Sequence, residues 1–340
     1  MITNGKVGVI GCGHWGPNHV RVFANFLGGK NIIAVDADPE RLARVRTLFR
    51  DDVAGELDYH TVLADPTVSA VVIATPTSTH YKLVYEALMA GKHVLCEKPL
   101  CQTLAEGQDL VSLARARGKV LMVGHVFLFN GGIVKVRELA KNGEVGDLRY
   151  ASIIRANLGP IRSDVNVIHD LASHDVAILN WVFDDEPECV WAMGSAFLQP
   201  GIEDVAFVSL KYRRRGIAGI VVSWLSPRKV RQMTVVGSKK MVLWDDLDIA
   251  NPVAIYDKGA NADEYAEYGE FLRISTWDRD VRLPKVHIEE PLKIQNRYFL
   301  ECIERGAVET SSAEFAVGVV KVLEAVQKSL RSQGCRVAIN

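Results

Sequence analysis

The feature that most constrains this chain lies near its start, in the stretch VGVIGCGHWG (Val7–Gly16). A continuous apolar run, KVGVI, reads as a strand buried on both faces. It leads into three glycines, Gly11, Gly13 and Gly16, spaced G-x-G-x-x-G, and then into a helical stretch, HWGPNHVRVFANF. In that setting Gly11 permits a tight turn, Gly13 lets the backbone approach a pyrophosphate, and Gly16 lets helix and strand pack closely. The helix N-terminus offers free N–H groups to phosphate, and Pro17 is tolerated in a first turn. His14 and Trp15 fall inside the loop and join the expected cofactor-binding set. Asp36 closes the second strand, 20 residues beyond Gly16. An acid there accepts hydrogen bonds from ribose hydroxyls and repels the extra phosphate of NADP. Ala37 and Asp38 follow it, so NAD is the expected cofactor. An ordinary turn residue ahead of Pro39 is the alternative for Asp36.

Strand and helix patterns alternate through the first third of the chain, which implies parallel strands joined by crossovers. After about Asn130 the pattern changes. From Val205 to Trp244, repeated strands at hairpin spacing predict an antiparallel sheet, and two helical stretches close the sequence. At 340 residues the chain exceeds one ordinary core. The expected fold class is α/β: an N-terminal Rossmann domain with a doubly wound parallel sheet (residues 1–125), then an α+β domain with an open, mainly antiparallel sheet (residues 126–340). The segment 245–285, rich in acids and tyrosines, is left open as a lid or a subunit contact.

A net charge of -1 gives no pull toward nucleic acid or an anionic membrane. No apolar run nears the ~18 residues of a membrane span, and no signal-peptide pattern opens the chain. Six cysteines without CxxC spacing read as reduced core residues of a cytoplasmic protein, with no metal site expected.

Ligands of open α/β sheets sit at the carboxyl ends of the strands. ATPTSTH (Ala74–His80) ends there, which places Thr75, Pro76, Thr79 and His80 on the cofactor side, with Thr77 or Ser78 as a helix cap. HVLCEKPL (His93–Leu100) raises a sharper question, because Glu97, Lys98 and Pro99 follow a buried strand at once. A lysine at a cofactor cleft can hold a substrate hydroxyl and tune proton transfer, and an ordinary surface turn is the alternative for Lys98 and Pro99. Glu97 reads as its structural partner, and Pro99 fixes the backbone, with a cis bond as one option. Farther on, VIHDLASHD sets Asp170 and His174 four apart, on one face of a helix. A carboxylate and an imidazole so placed can orient a hydroxyl and take its proton. A helix cap and a core histidine are the plain alternatives.

Taken in order, VGVIGCGHWG, ATPTSTH, EKPL, GHVFLFN and DLASHD resemble the Gfo/Idh/MocA oxidoreductases over essentially the whole chain. The resemblance implies a nicotinamide-dependent enzyme acting on a carbohydrate hydroxyl, and an open sheet that builds homodimers or homotetramers. It carries the lysine of the E-K-P motif onto Lys98, and the aspartate and histidine of D-x-x-x-H onto Asp170 and His174, the histidine serving as acid/base. One departure is Leu128, where many members have arginine. A narrower resemblance, in WGPNHVR and RANLGPIRSDVNVIHDLASHD, is to UDP-N-acetylglucosamine 3-dehydrogenases, which implies oxidation of the 3-hydroxyl of a UDP-N-acetylhexosamine. Arg155 and Arg162 are then candidate pyrophosphate ligands, and Asn157 and Asn166 candidate readers of the sugar. The rivals are a dehydrogenase of a free polyol such as inositol, a ketoreductase of another nucleotide sugar, and an NAD-sensing regulatory protein without catalysis.

Overall fold

The computed structural model describes residues 5–49, 52–163, 165–263 and 273–339. It divides into two compact units, Met1–Phe129 with Glu289–Lys321, and Asn130–Ile288 with Val322–Asn340. The expected break near 125 is thus incomplete, because residues 289–321 belong with the first unit rather than the second.

The first unit is built on six parallel strands: β1 (Lys6–Ile10), β2 (Ile32–Val35), β3 (Ala54–Glu56), β4 (Val68–Ile73), β5 (His93–Glu97) and β6 (Leu121–Gly124). Their order is β3-β2-β1-β4-β5-β6. The chain winds outward from β1 in one direction and from β4 in the other, so the switch point lies between β1 and β4, where a crevice opens at the strand ends. Helices α1 (Gly16–Leu27), α2 (Pro39–Leu48), α3 (Tyr59–Ala64), α4 (His80–Met89) and α5 (Leu104–Arg117) connect the strands. The strands are near-continuous Val/Ile/Leu runs because helices cover both sheet faces. Helix α5 starts at a capping box, with Thr103 and Glu106 satisfying each other's backbone N–H groups. The returning segment joins this unit through apolar contacts. Phe299 meets Phe23 edge-on at 6.4 Å, and Ala313, Ala316 and Val320 enter the core with Val94, Leu110 and Val123.

The second unit opens with α6 (Gly131–Lys141), capped by the Asn130 side chain, which accepts from the N–H groups of Gly132 and Ile133. Its sheet, counted among the described residues, has nine strands. These are β7 (Leu148–Ala156), β8 (Pro187–Ser195), β9 (Val205–Tyr212), β10 (Ile217–Ser223), β11 (Val230–Gly237), β12 (Met241–Asp245), β13 (Val253–Asp263), β14 (Arg273–Arg282) and β15 (Val337–Ala338). The order is β14-β13-β12-β11-β7-β10-β9-β8-β15. β7 and β10 run parallel, and the other neighbours are antiparallel. β13 and β14 form a long hairpin within the 245–285 segment, of which residues 264–272 lie outside the described residues. Burial alternates along β9, with Ala206, Val208, Leu210 and Tyr212 buried and Phe207 on the other face. Helix α7 (Ser173–Phe183) is buried along most of its length because it packs on the inner face, and α8 (Pro291–Arg305) and α9 (Ala313–Arg331) are the two expected closing helices.

A buried ion pair ties β7 to α7. The Arg155 guanidinium donates from Nε to Asp175 Oδ1 at 2.8 Å, an Nη lies 2.7 Å from the same oxygen, and both side chains are almost wholly excluded from solvent. Breaking such a pair strands a buried charge, at a cost of about 3–5 kcal/mol. Arg155→Met is expected to destabilise the protein by that amount in a denaturant titration. Adding Asp175→Leu should restore most of the loss, because an apolar pair needs no partner.

Candidate functional site

The glycine loop has the geometry that its spacing requires. Gly11 has a φ of 97°, and its N–H donates to the Val35 carbonyl at 2.8 Å. A Cβ on Gly11 would stand 2.7 Å from the Ala74 carbonyl oxygen, and one on Gly16 would run into the Gly11 carbonyl. Gly13, His14 and Trp15 are exposed at the loop, with the His14 and Trp15 rings edge-on at 5.8 Å. Asp36 sits beneath the loop, buried, accepting from the Cys12 N–H at 2.7 Å and the Asp38 N–H at 2.9 Å. The carboxylate therefore braces the loop as well as facing its crevice. Burial, then the nearby Asp36 charge, pushes the Cys12 thiol up to about 12, so it is no thiolate. A backbone turn that tolerates no side chain at Gly11 or Gly16, above a fixed carboxylate, fits a dinucleotide.

Beside it, Thr79 Oγ1 donates to Thr75 Oγ1 at 2.7 Å and sits 2.8 Å from the Pro76 carbonyl. Thr79 itself, not Thr77 or Ser78, holds the N-cap position of α4, with no side-chain cap bond, because a short 3₁₀ turn over Thr77–Thr79 precedes the helix. His80 is buried, its Nδ1 2.8 Å from the Pro99 carbonyl and its Nε2 2.9 Å from the Thr75 carbonyl. It thus joins the ATPTSTH and EKP segments directly, and burial pulls its pKa below the ordinary value. The Lys98–Pro99 peptide bond is cis. Glu97 holds the Lys98 N–H at 3.3 Å and His19 Nε2 at 2.9 Å. The first unit therefore brings Gly11, Gly16, Asp36, Thr75, His80, Glu97 and Lys98 to the carboxyl ends of β1, β2, β4 and β5.

His125, at the end of β6, is buried with neither ring nitrogen hydrogen-bonded among the described residues. Burial, then the Lys98 charge, pushes its pKa down to about 4, so it is neutral near pH 7. Leu128, at the arginine position of many relatives, is a buried apolar residue.

In the second unit the segment carrying Asp170 and His174 is less regular than expected. Ile168–Ala172 form a π turn, and α7 begins only at Ser173. The Asn166 side chain starts that turn, its Oδ1 accepting from the His169 N–H at 3.2 Å and lying 2.9 Å from His169 Nδ1. Its Nδ2 donates to Glu203 at 2.7 Å and Gln327 at 3.1 Å. Asn166 thus anchors the turn. Asp170 Oδ2 accepts from Trp224 Nε1 at 3.2 Å, and Oδ1 lies 3.4 Å from Arg162 Nη1. Asp170 is thereby oriented from both sides, and His174, one residue into α7, is half-buried. Single π turns are frequent at functional sites.

Of the two expected phosphate ligands, Arg155 has its guanidinium buried against Asp175. Arg162 remains part-exposed beside Asp170. Asn157 is half-buried at the end of β7, its N–H donating to the Ser223 carbonyl at 3.1 Å. Sequence reasoning passed over His19, Asp175, Asn296 and Trp224, whose partners are remote in the chain. Among the described residues no group of three or more His, Cys, Asp or Glu is placed to hold a metal ion. No described helix is long and apolar enough to cross a membrane.

Residues 5–125 match the model of an oxidoreductase family with an NAD-binding Rossmann fold, and residues 133–243 match the GFO/IDH/MocA C-terminal domain. The chain belongs to the Gfo/Idh/MocA oxidoreductase family. It is 30% identical over 256 residues to the UDP-N-acetylglucosamine 3-dehydrogenase of Acidithiobacillus ferrooxidans, covering 75% of this chain and 78% of that one. The solved structure of that dehydrogenase superposes with a TM-score of 0.81 at 24% identity, over 98% of this chain and 99% of that chain. GenD2 from gentamicin A biosynthesis, solved in complex with NAD, gives 0.81 at 25% identity, over 100% and 97%. The chain spans 65% and 54% of two other curated relatives, an oxidoreductase of Bacillus subtilis and an inositol 2-dehydrogenase of Acidothermus cellulolyticus. The latter is 31% identical over 53% of this chain.

Family membership and the cradle agree on NAD. Gly16→Ala is expected to weaken NADH binding by about tenfold or more in a fluorescence titration, because the new methyl meets backbone rather than a movable side chain. Gly219→Ala, where nothing lies within 4 Å of the added carbon, should leave binding unchanged.

Proposed function

We propose that this protein oxidises a sugar hydroxyl with NAD, the favoured substrate being the 3-hydroxyl of a UDP-N-acetylhexosamine. The observation that carries this reading is the 30% identity, over three quarters of the chain, to an enzyme named for that reaction. NAD supplies a hydride acceptor when bound over Gly11, Gly13 and Gly16, with Asp36 toward the adenosine ribose. His174 takes the hydroxyl proton as the carbon–hydrogen bond breaks. Lys98 stabilises the developing alkoxide charge, and Asp170, fixed by Trp224 and Arg162, orients the hydroxyl. Arg162 is the proposed phosphate contact.

A free polyol is the second reading, and the sequestration of Arg155 favours it, since a pyrophosphate loses one expected cation. Relatives named inositol 2-dehydrogenase point the same way. A regulatory protein without catalysis would need no ordered Asp170 and His174 turn.

The outward face of the second sheet bears Tyr150, Ile154, Trp191, Met193, Phe207 and Ile217, all exposed. So many large apolar side chains on one face suit burial against a second copy of the chain, and a homodimer or homotetramer is proposed. Six cysteines, none in a disulfide among the described residues, suit a reducing, cytoplasmic setting.

NADH absorbance with UDP-N-acetylglucosamine, its uronic acid and myo-inositol should rise only with a UDP-sugar. A rise with inositol alone would replace the substrate and keep the chemistry. With the accepted substrate, Lys98→Ala and His174→Ala should each lose about 10²–10⁴-fold in turnover while still binding NADH. Near-full turnover in both would remove their assigned roles. Phe207→Asp should lower the mass seen by light scattering, and an unchanged mass would move the interface elsewhere.

A further inference from the structure

We propose that His19, Asn296 and Glu97 form a buried relay that keeps Glu97 ionised beside Lys98 and so sets the charge Lys98 carries. The proposal rests on the role of Lys98 proposed above, and it makes His19 and Asn296 positioning residues.

The relay implies a direction for its hydrogen bonds. Asn296 Nδ2 lies 3.1 Å from His19 Nδ1. The Asn296 amide is oriented by Gln295, whose Nε2 donates to Asn296 Oδ1 at 3.5 Å. With the amide turned that way, the relay assigns His19 Nδ1 as the acceptor and the ring proton to Nε2, 2.9 Å from Glu97 Oε1. His19, Asn296 and Gln295 are fully buried. A neutral imidazole that donates to Glu97 satisfies the carboxylate without cancelling its charge. Burial pushes the Glu97 pKa up, but the His19 hydrogen bond, the positive charge that His19 carries when protonated, and the Lys98 charge and N–H outweigh it and hold it below the ordinary value. Glu97 Oε2 also holds the Lys98 N–H, so one carboxylate fixes both the backbone and the electrostatics of the lysine.

Among the described residues of the first unit, the Lys98 charge also reaches His80 on α4 and His125 after β6, and burial disfavours the charged form of each. Glu97 is a negative charge that this unit presents to Lys98. Apolar side chains of similar shape would pack the same space at no loss of stability, so the three polar groups are accounted for by what they do to Glu97.

The test follows Lys98 itself and needs no sugar. Lysines are reductively methylated with ¹³C and titrated by NMR, with and without NAD, the Lys98 signal being assigned by its absence in Lys98→Arg. Glu97→Gln should lower the Lys98 midpoint by about one pH unit or more. His19→Phe and Asn296→Leu should move it the same way by smaller amounts. Ring ¹⁵N shifts of the unsubstituted protein should show His19 protonated on Nε2. A Lys98 midpoint unmoved by His19→Phe and Asn296→Leu overturns the relay, and so does a His19 proton on Nδ1. If His19→Phe fails to fold, Asn296→Leu and the ring spectra decide. Full turnover in Lys98→Ala would instead sink the catalytic reading while leaving these titrations to judge the relay.

Discussion

Helix α1 lies where it does because Gly16 has no side chain. Its Cα faces the Gly11 carbonyl so closely that a methyl group has no room, and that approach sets the start of the helix over the end of β1. Much follows from it. The helix N-terminus points at the loop, the loop rests on the Asp36 carboxylate, and His19, three residues on from Gly16, is delivered to Glu97. Substituting one hydrogen atom at Gly16 would disturb all three.

The two units use polar burial in different ways. In the first, buried polar groups converge on the turn that carries Lys98, with His80 gripping the Pro99 carbonyl and His19 gripping Glu97. In the second, they shape the segment that carries Asp170. Asn166 starts the π turn, Trp224 and Arg162 hold the carboxylate, and the Arg155–Asp175 pair locks α7 against β7. Such groups are costly to bury singly and tolerable only when satisfied together. Their concentration around the motif residues is the physical reason to place chemistry there.

Much of this was legible in the sequence. The G-x-G-x-x-G loop, the acid that ends β2 and the alternation of strands with helices are local patterns, each set by a few adjacent residues, so they fixed the doubly wound sheet and the cofactor cradle. Residues 289–321 were misassigned because helical periodicity shows that α8 has an apolar face but not which core receives it. The ion pair of Arg155 was illegible for a similar reason. A lone arginine in a strand signals charge, and its partner, Asp175, is 20 positions away on another element.

The sequence by itself therefore determined the family, the cofactor cradle and the identities of Lys98, Asp170 and His174 as the motif residues, because those depend on spacing within short segments. Only the tertiary structure decided which polar groups hold the protein together. Arg155 is taken by Asp175, Asn166 by the turn it starts, and Glu97 is shared between His19 and the backbone of Lys98. His19 and Asn296 are 277 residues apart, and no period or motif in a sequence encodes a hydrogen bond across that span. It arises only when the returning helix α8 packs on α1.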